Sequence, residues 1–291
     1  MSVIYGINVD TTYSKFFEPN LYFNSWLIPE ASYTNKHQNG PAGSILVHRL
    51  KNFSAVTPGK PGRDFEHVNA TDEVIPILLN NNYQKSRKLY DVEIGAIGAS
   101  LAEESLAAAT EEVRMGREQS ALAALCTEGT QGLSTPVSAE NVKDAILAER
   151  QAMIEQSGYA DIILASPSTY TALLTVSGRD FTPVQNERIQ MEGRVGKWYG
   201  FTVFECNGLS SQSPAMYYDY DNRERTVSPE DLKLIDFIMY NSQALSVVDN
   251  LSRYKLQDGG VIFNGVAAQV EVNTGFRVTN SILARVHKHS A

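Results

Sequence analysis

The stretch from Ser100 to Cys126, SLAEESLAAATEEVRMGREQSALAALC, limits what the rest of the chain can fold into. Ala, Leu, Glu, Arg and Gln fill it, all strong helix formers, and no proline interrupts it. Ser100 and Glu103 have the spacing of a capping box, in which a hydroxyl and a carboxylate satisfy backbone N–H groups left over by the first turn. Leu106, Ala109, Val113 and Gly116 recur every three or four residues, so one face is expected to be buried. Gly129 and Gly132 are expected to end the helix. At 1.5 Å per residue it would run about 40 Å. A helix that long acts as a spine, and the remaining elements must hang from it or return to it.

Composition narrows the function classes. With 291 residues and 43% hydrophobic content, the chain can bury the core of one large or two ordinary domains. A net charge of -8 provides no overall basic field, so contact with DNA is expected to be weak and non-specific. The two cysteines, Cys126 and Cys206, form no CxxC pair, which favours a reducing compartment over a disulfide framework. The start, MSVIYGINVDTTYSKFF, lacks a basic segment followed by an apolar one, so no signal peptide is expected. No apolar run approaches the length of a membrane span, and no membrane partner is expected. The triplets beginning at Asn52, Asn69 and Asn250 match glycosylation acceptors but would stay idle without secretion.

Residues 1–42 read as an irregular arm rich in aromatics, among them Phe23 and Trp26, and broken by Pro19, Pro29 and Pro41. Such an arm cannot bury its rings within itself; it either straps its own domain or lies on neighbouring subunits. Gly43–Val56 and His67–Val92 read as two extended limbs around the turn-rich TPGKPGRD, Thr57–Asp64. A long two-stranded ribbon has too little core to be stable alone, so it needs a partner surface. After the long helix, Ser138 is expected to cap a second helix with Val142, Ile146 and Met153 inward and Gly158 as terminator. Asp161–Ala165 reads as a short buried strand, and Ser166-Pro167 as the cap and first position of a third helix. GRVGKWYG reads as a turn before the strand GFTVFECNG. Alternation at Val266, Ala268, Val270 and Val272, and at Ile282, Ala284 and Val286, predicts strands returning to the long helix.

The search for chemistry finds little. GRVGKWYG has the wrong spacing for a phosphate loop, and Trp198 stands where Ser or Thr should bind magnesium. Gly95-Ala-Ile-Gly98 lacks the first glycine pair of a dinucleotide fingerprint. His287 and His289 could share a strand face, but the terminal position predicts a solvated tail rather than a metal site. Cys126 and Cys206 are expected to be small buried hydrophobes. Glu103-Glu104 and Glu111-Glu112 are expected on the exposed flank of the long helix. No catalytic residue, cofactor or metal ligand is assigned; an α+β enzyme would have to draw on the neighbourhood of Asp161 and Arg179.

The order of elements, together with YQKSRKLYDVEIG, ASPSTYTALLTVSGRDF, KWYGFTVFECNGL and GFRVTNSILARVHK, resembles the major capsid protein of tailed bacteriophages, the Hong-Kong-ninety-seven-like fold also used by encapsulin compartments. The resemblance implies an α+β fold with an N-terminal arm (1–42), an extended β-ribbon loop (43–99), a peripheral domain of spine helix and β-sheet (100–135 and 244–291), and an inserted axial α+β domain (136–243). It implies a non-enzymatic, self-assembling icosahedral shell around phage double-stranded DNA, made in the host bacterial cytoplasm and found in the virion; an encapsulin-like compartment is the alternative. Implied partners are other copies in hexamers and pentamers, a separate scaffolding protein and a portal. Candidate contacts between subunits are Thr57, Pro58, Lys60, Arg63, Trp26 and Phe23. Lys60 is the only lysine at the tip, and it is expected to solubilise the turn rather than to crosslink.

Overall fold

The computed structural model describes residues 37–39, 44–51, 71–91, 100–156, 158–176, 182–183, 194–198, 200–258 and 264–290. In chain order, β1 (His37–Asn39), β2 (Ser44–Lys51) and β3 (Thr71–Leu78) form a three-stranded antiparallel sheet in the order β1-β2-β3. Ser44 lies opposite Leu78 and Lys51 opposite Thr71, so the two expected limbs do pair as a hairpin. Next come β4 (Asn81–Tyr90), α1 (Ser100–Glu128), β5 (Thr130–Gln131), α2 (Val142–Glu155), β6 (Ile162–Ala165) and α3 (Pro167–Thr175). Then follow β7 (Thr182–Pro183), β8 (Arg194–Trp198), β9 (Phe201–Glu205), β10 (Ala215–Tyr218), β11 (Glu224–Val227) and α4 (Pro229–Lys233). The chain finishes with β12 (Ile235–Tyr240), β13 (Leu245–Asp258), β14 (Gly265–Val278) and β15 (Ala284–Lys288). The architecture is mixed α+β.

Helix α1 is shared between two sheets. Leu106, Ala109 and Val113, on its first half, pack on Tyr254, Ala268, Val270 and Val272 of the three-stranded sheet β13-β14-β4. Ala121–Cys126, on its second half, pack on Ile162, Leu164, Phe204, Ile238 and Tyr240 of the seven-stranded sheet β5-β15-β12-β6-β9-β8-β7. The alanines let the helix lie close to the strands. Near the midpoint, where the two packing surfaces meet, Arg117 pairs with Asp249 at 3.2 Å, both side chains buried, and Thr274 donates to Asp249 at 2.7 Å. The other face of the seven-stranded sheet is covered by α2 and α3 through Val142, Ile146, Met153, Ala172 and Leu173 against Ile163, Val203, Phe237 and Met239.

Several local expectations are corrected. Residues 100–128 are helical, and the capping box expected at Ser100 and Glu103 stands at the edge of the described residues, those before Ser100 falling outside them. Gly129, which follows α1, has no positive φ; its N–H donates to the Leu125 carbonyl at 3.0 Å, and a Cβ there would come within 2.6 Å of that oxygen. Asn141, not Ser138, precedes α2: Ser138 sits in the turn before it, its backbone N–H donating to Asn141 Oδ1 at 2.7 Å. Ser166 does cap α3, accepting from the Thr169 N–H with Pro167 at the first position. Arg194–Trp198 is a strand paired to β9 rather than only a turn; the turn is at Gly200, with φ of +89°. Ile282 lies in a short 3-10 turn, and β15 that follows joins the seven-stranded sheet, antiparallel to β12.

Candidate assembly surfaces

The hairpin β2–β3 is rooted in the body by its return limb. Ile75 and Ile77 turn inward and are buried, whereas Val74 is 46% exposed. Gly275 of β14 has no room for a side chain, since a Cβ would lie 2.5 Å from the Leu78 carbonyl oxygen and 2.8 Å from Ile77 Cγ2. Arg277 of the same strand donates to the Pro76 carbonyl at 2.6 Å, and its guanidinium lies 4.0 Å over the Tyr220 ring. One side chain thus ties the hairpin root to the β10–β11 turn.

Two asparagines complete that root. Asn80 Nδ2 donates to the Asp219 carbonyl at 2.8 Å. The buried Asn81 imitates a neighbouring strand: Tyr218 N–H donates to its Oδ1 at 2.8 Å, and its Nδ2 donates to the Tyr218 carbonyl at 3.1 Å. The β10–β11 turn that receives them is itself held by Asp219, which accepts from the N–H groups of Asp221 and Arg223 and from Arg225. These bonds hold the Asp219 carboxyl below the usual carboxylate range despite the opposing effect of desolvation. Asn222 takes φ of +57°, which asparagine tolerates in a tight turn.

The expected contact residues Phe23, Trp26, Thr57, Pro58, Lys60 and Arg63 all lie outside the described residues. Among the described residues, other surfaces expose large apolar side chains. Ile154, Tyr159 and Leu174 do so around α2 and α3, beside a depression that Arg150, Gly200 and Phe201 line. Met216, Tyr218 and Tyr220 do so at the β10–β11 hairpin, and Met115 is exposed on α1. Sequence periodicity could not single these out, because a helix face or strand face is only known to be uncovered once its neighbours are placed.

The chemistry-bearing residues fall into structural roles. Asp161 accepts from the N–H and hydroxyl of Ser242 at 3.0 and 3.2 Å, fixing the turn after β12; Arg179 lies outside the described residues. Cys126 and Cys206 are buried and unbonded to each other, as expected, and desolvation pushes the Cys206 thiol up to about 12. Glu103, Glu104 and Glu111 lie on the exposed flank of α1, but Glu112 instead bridges to Lys85 and Arg87 of β4. Among the described residues there is no group of three or more His, Cys, Asp or Glu placed to hold a metal, and no helix long and apolar enough to cross a membrane.

The terminal histidines overturn an expectation. His287 is not part of a solvated tail: it is fully buried and stacked on Phe237, centroids 4.7 Å apart. Its Nδ1 lies 2.9 Å from Glu149 Oε1 and its Nε2 lies 2.7 Å from the Thr135 carbonyl. Glu149, also fully buried, further accepts from Arg285 Nε at 2.8 Å and from the Leu133 N–H. Gly132 passes so close that a Cβ would sit 2.2 Å from Glu149 Oε1. Desolvation opposes charge on both groups, yet the hydrogen bonds prevail: the Glu149 carboxyl is held below its ordinary value and the His287 imidazole above it. His289 Nδ1 lies 2.9 Å from Asp236 Oδ2, which is 3.9 Å from His287 Nε2, so both rings do turn toward one carboxylate.

No family model matches the chain, and no curated protein matches it in sequence. Solved structures match its fold along most of its length. The capsid structure of the cyanophage P-SCSP1u is 15% identical with a TM-score of 0.63, covering 87% of this chain and 85% of that one. A structure from Gordonia phage Cozz is 13% identical with a TM-score of 0.60 over 92% and 87%. The asymmetric unit of the bacteriophage PhiM1 mature capsid is 14% identical with a TM-score of 0.59 over 92% and 87%. This chain shares the fold of these phage structures, two of them described as capsids.

Proposed function

We propose that this chain is the major capsid protein of a tailed bacteriophage, a structural, non-enzymatic subunit that assembles with copies of itself into the icosahedral shell around double-stranded DNA. The observation that carries this reading is the fold match to phage capsid structures along nearly the whole chain. In this reading α1 is the spine helix, and residues 43–99 are the extended loop, rooted by Arg277, Asn80 and Asn81 and reaching beyond its own body. Residues 100–135 and 244–291 form the peripheral domain and 136–243 the axial domain, with β15 threading back into the axial sheet. Thr57, Pro58, Lys60 and Arg63 at the loop tip and Phe23 and Trp26 in the arm are the proposed contacts with neighbours.

The mechanism is association by repetition. Each copy lays its ribbon on the next, a head-to-tail contact that closes into hexamers and pentamers. Interfaces of this obligate kind bury roughly 2,000–5,000 Å² each. Scaffolding and portal proteins are the further partners of this reading, and contact with DNA is weak and non-specific, as the net charge of -8 favours. Electron microscopy and light scattering of the purified chain test it, with a variant lacking residues 57–64 beside it. The full chain is expected as rings or shells, and the shortened one as folded but unassembled. A stable monomer at high concentration refutes the reading, and shells holding a cargo protein in place of DNA turn it into a compartment.

A further inference from the structure

We propose that the buried cluster of Glu149, Arg285, His287 and Asp236 is a proton-linked latch: while His287 is an imidazolium it ties the Thr135 carbonyl down and completes the hold on residues 131–135, and losing that proton as pH rises loosens them. The first ground is stereochemical. A carbonyl oxygen only accepts, so His287 Nε2, 2.7 Å from the Thr135 carbonyl, must carry hydrogen. Glu149 Oε1, 2.9 Å from Nδ1, already accepts from the Leu133 N–H, while Arg285 donates to Oε2 at 2.8 Å. A carboxylate that accepts from a backbone N–H and a guanidinium is ionised and asks Nδ1 for a hydrogen as well. With both ring nitrogens facing acceptors, the ring is charged.

The surroundings favour the same state. From α2 the titratable group facing His287 is Glu149; from β12 it is Asp236, 3.9 Å from Nε2. From β15 and its end come Arg285, engaged by Glu149, and His289, engaged by Asp236. Lys288 is occupied by Asp231 of α4 at 2.6 Å. Residues 131–135, QGLST, contribute no titratable side chain, only the Leu133 N–H and the Thr135 carbonyl. Phe237 stacks against the ring, and a cation on an aromatic face is further favoured.

Deprotonation leaves one nitrogen as a lone pair against an acceptor. Glu149 keeps Arg285 as counter-ion and, being charged, holds the remaining N–H more strongly than a neutral carbonyl does. The bond to Thr135 is therefore the one that fails. Because the folded imidazole holds its proton more tightly than the free one, the latch is complete below about pH 6.5 and is lost as pH rises through the folded value. The Gly132 N–H on the Val286 carbonyl and the Leu133 N–H on Glu149 remain, so the segment between α1 and α2 loses one of its ties and loosens without detaching.

Hydrogen–deuterium exchange of the full-length protein from pH 6 to 9.5, corrected for intrinsic base catalysis, tests the latch. Peptides spanning 130–137 are expected to lose protection at least threefold in a one-proton transition above pH 6.5, while a β14 peptide stays unchanged. The variant His287→Gln should show the low protection at every pH, and His289→Gln should keep the transition. Should His287→Gln fail to fold, the nitrogen chemical shifts of the wild-type His287 ring decide: both nitrogens protonated at pH 6.5 supports the latch. A neutral ring at that pH, or protection of 130–137 that does not change with pH, overturns it.

Discussion

Replacing Asn81 by alanine tests whether the hairpin root is held as described. The amide makes a two-way bond with the backbone of Tyr218, at 2.8 and 3.1 Å, and a third with Asn80 Oδ1 at 2.9 Å. Each neutral bond contributes about 0.5–1.5 kcal/mol net, and a buried group left without a partner costs about 1–3 kcal/mol. Asn80 keeps its own bond to Asp219, and Tyr218 is partly exposed, so water can reach some of what the amide abandons. Balancing these gives a loss of about 2 kcal/mol, or roughly thirty-fold in the folding equilibrium. Asn81→Asp should be at least as damaging, because its second oxygen would face the Tyr218 carbonyl in place of a donor. Denaturant unfolding at one fixed protomer concentration measures both, since association would otherwise shift the midpoint. Exchange protection in residues 71–90 and 215–218 should fall together. An alanine variant within 0.5 kcal/mol of wild type, or an aspartate variant milder than alanine, would show that Asn81 does not hold this junction.

Leu106→Ala removes a fully buried side chain between α1 and the three-stranded sheet and should cost about 3 kcal/mol in the same unfolding assay. Gly132→Ala would push a methyl group into the Glu149 carboxylate, so a loss of about 1–3 kcal/mol is expected, together with weaker protection of residues 130–137. Arg277→Ala should loosen the hairpin while leaving the cores intact: exchange rises in residues 71–78 and 215–227, and the unfolding midpoint moves little. Cys126 and Cys206 should resist thiol reagents in the native protein and react fully on unfolding, because both are buried and burial raises both thiols; fast native labelling would contradict their placement.

The long helix was legible because its information is local: strong helix formers and a stripe at Leu106, Ala109 and Val113 need no knowledge of distant partners. The same holds for Ser166-Pro167 at the start of α3, where cap and first residue are adjacent. Alternation at Val266–Val272 showed a strand but not its partners, and β4 proved to pair with β14 rather than to continue the ribbon. The Glu149–His287 cluster was hidden for the opposite reason. Its members are more than a hundred residues apart, and a histidine near a chain end reads as solvated until a helix is seen to cover it. Glu149 carried a faint signal, since it sits on the inward face marked by Val142, Ile146 and Met153, where a carboxylate needs a partner. The apolar groups at Ile154, Tyr159 and Leu174 had none.

The seating of α1 on two separate sheets has a mechanical consequence. Its first half grips the sheet from which the hairpin root is hung, and its second half grips the larger one, with a buried ion pair clamping the middle. Tension applied at the hairpin would therefore run lengthwise along a hydrogen-bonded rod before reaching the far side of the molecule, bypassing the connecting loops. If the chain tiles a shell as proposed, that wall would owe part of its resistance to outward pressure to a strut inside every tile, and not only to the seams between them.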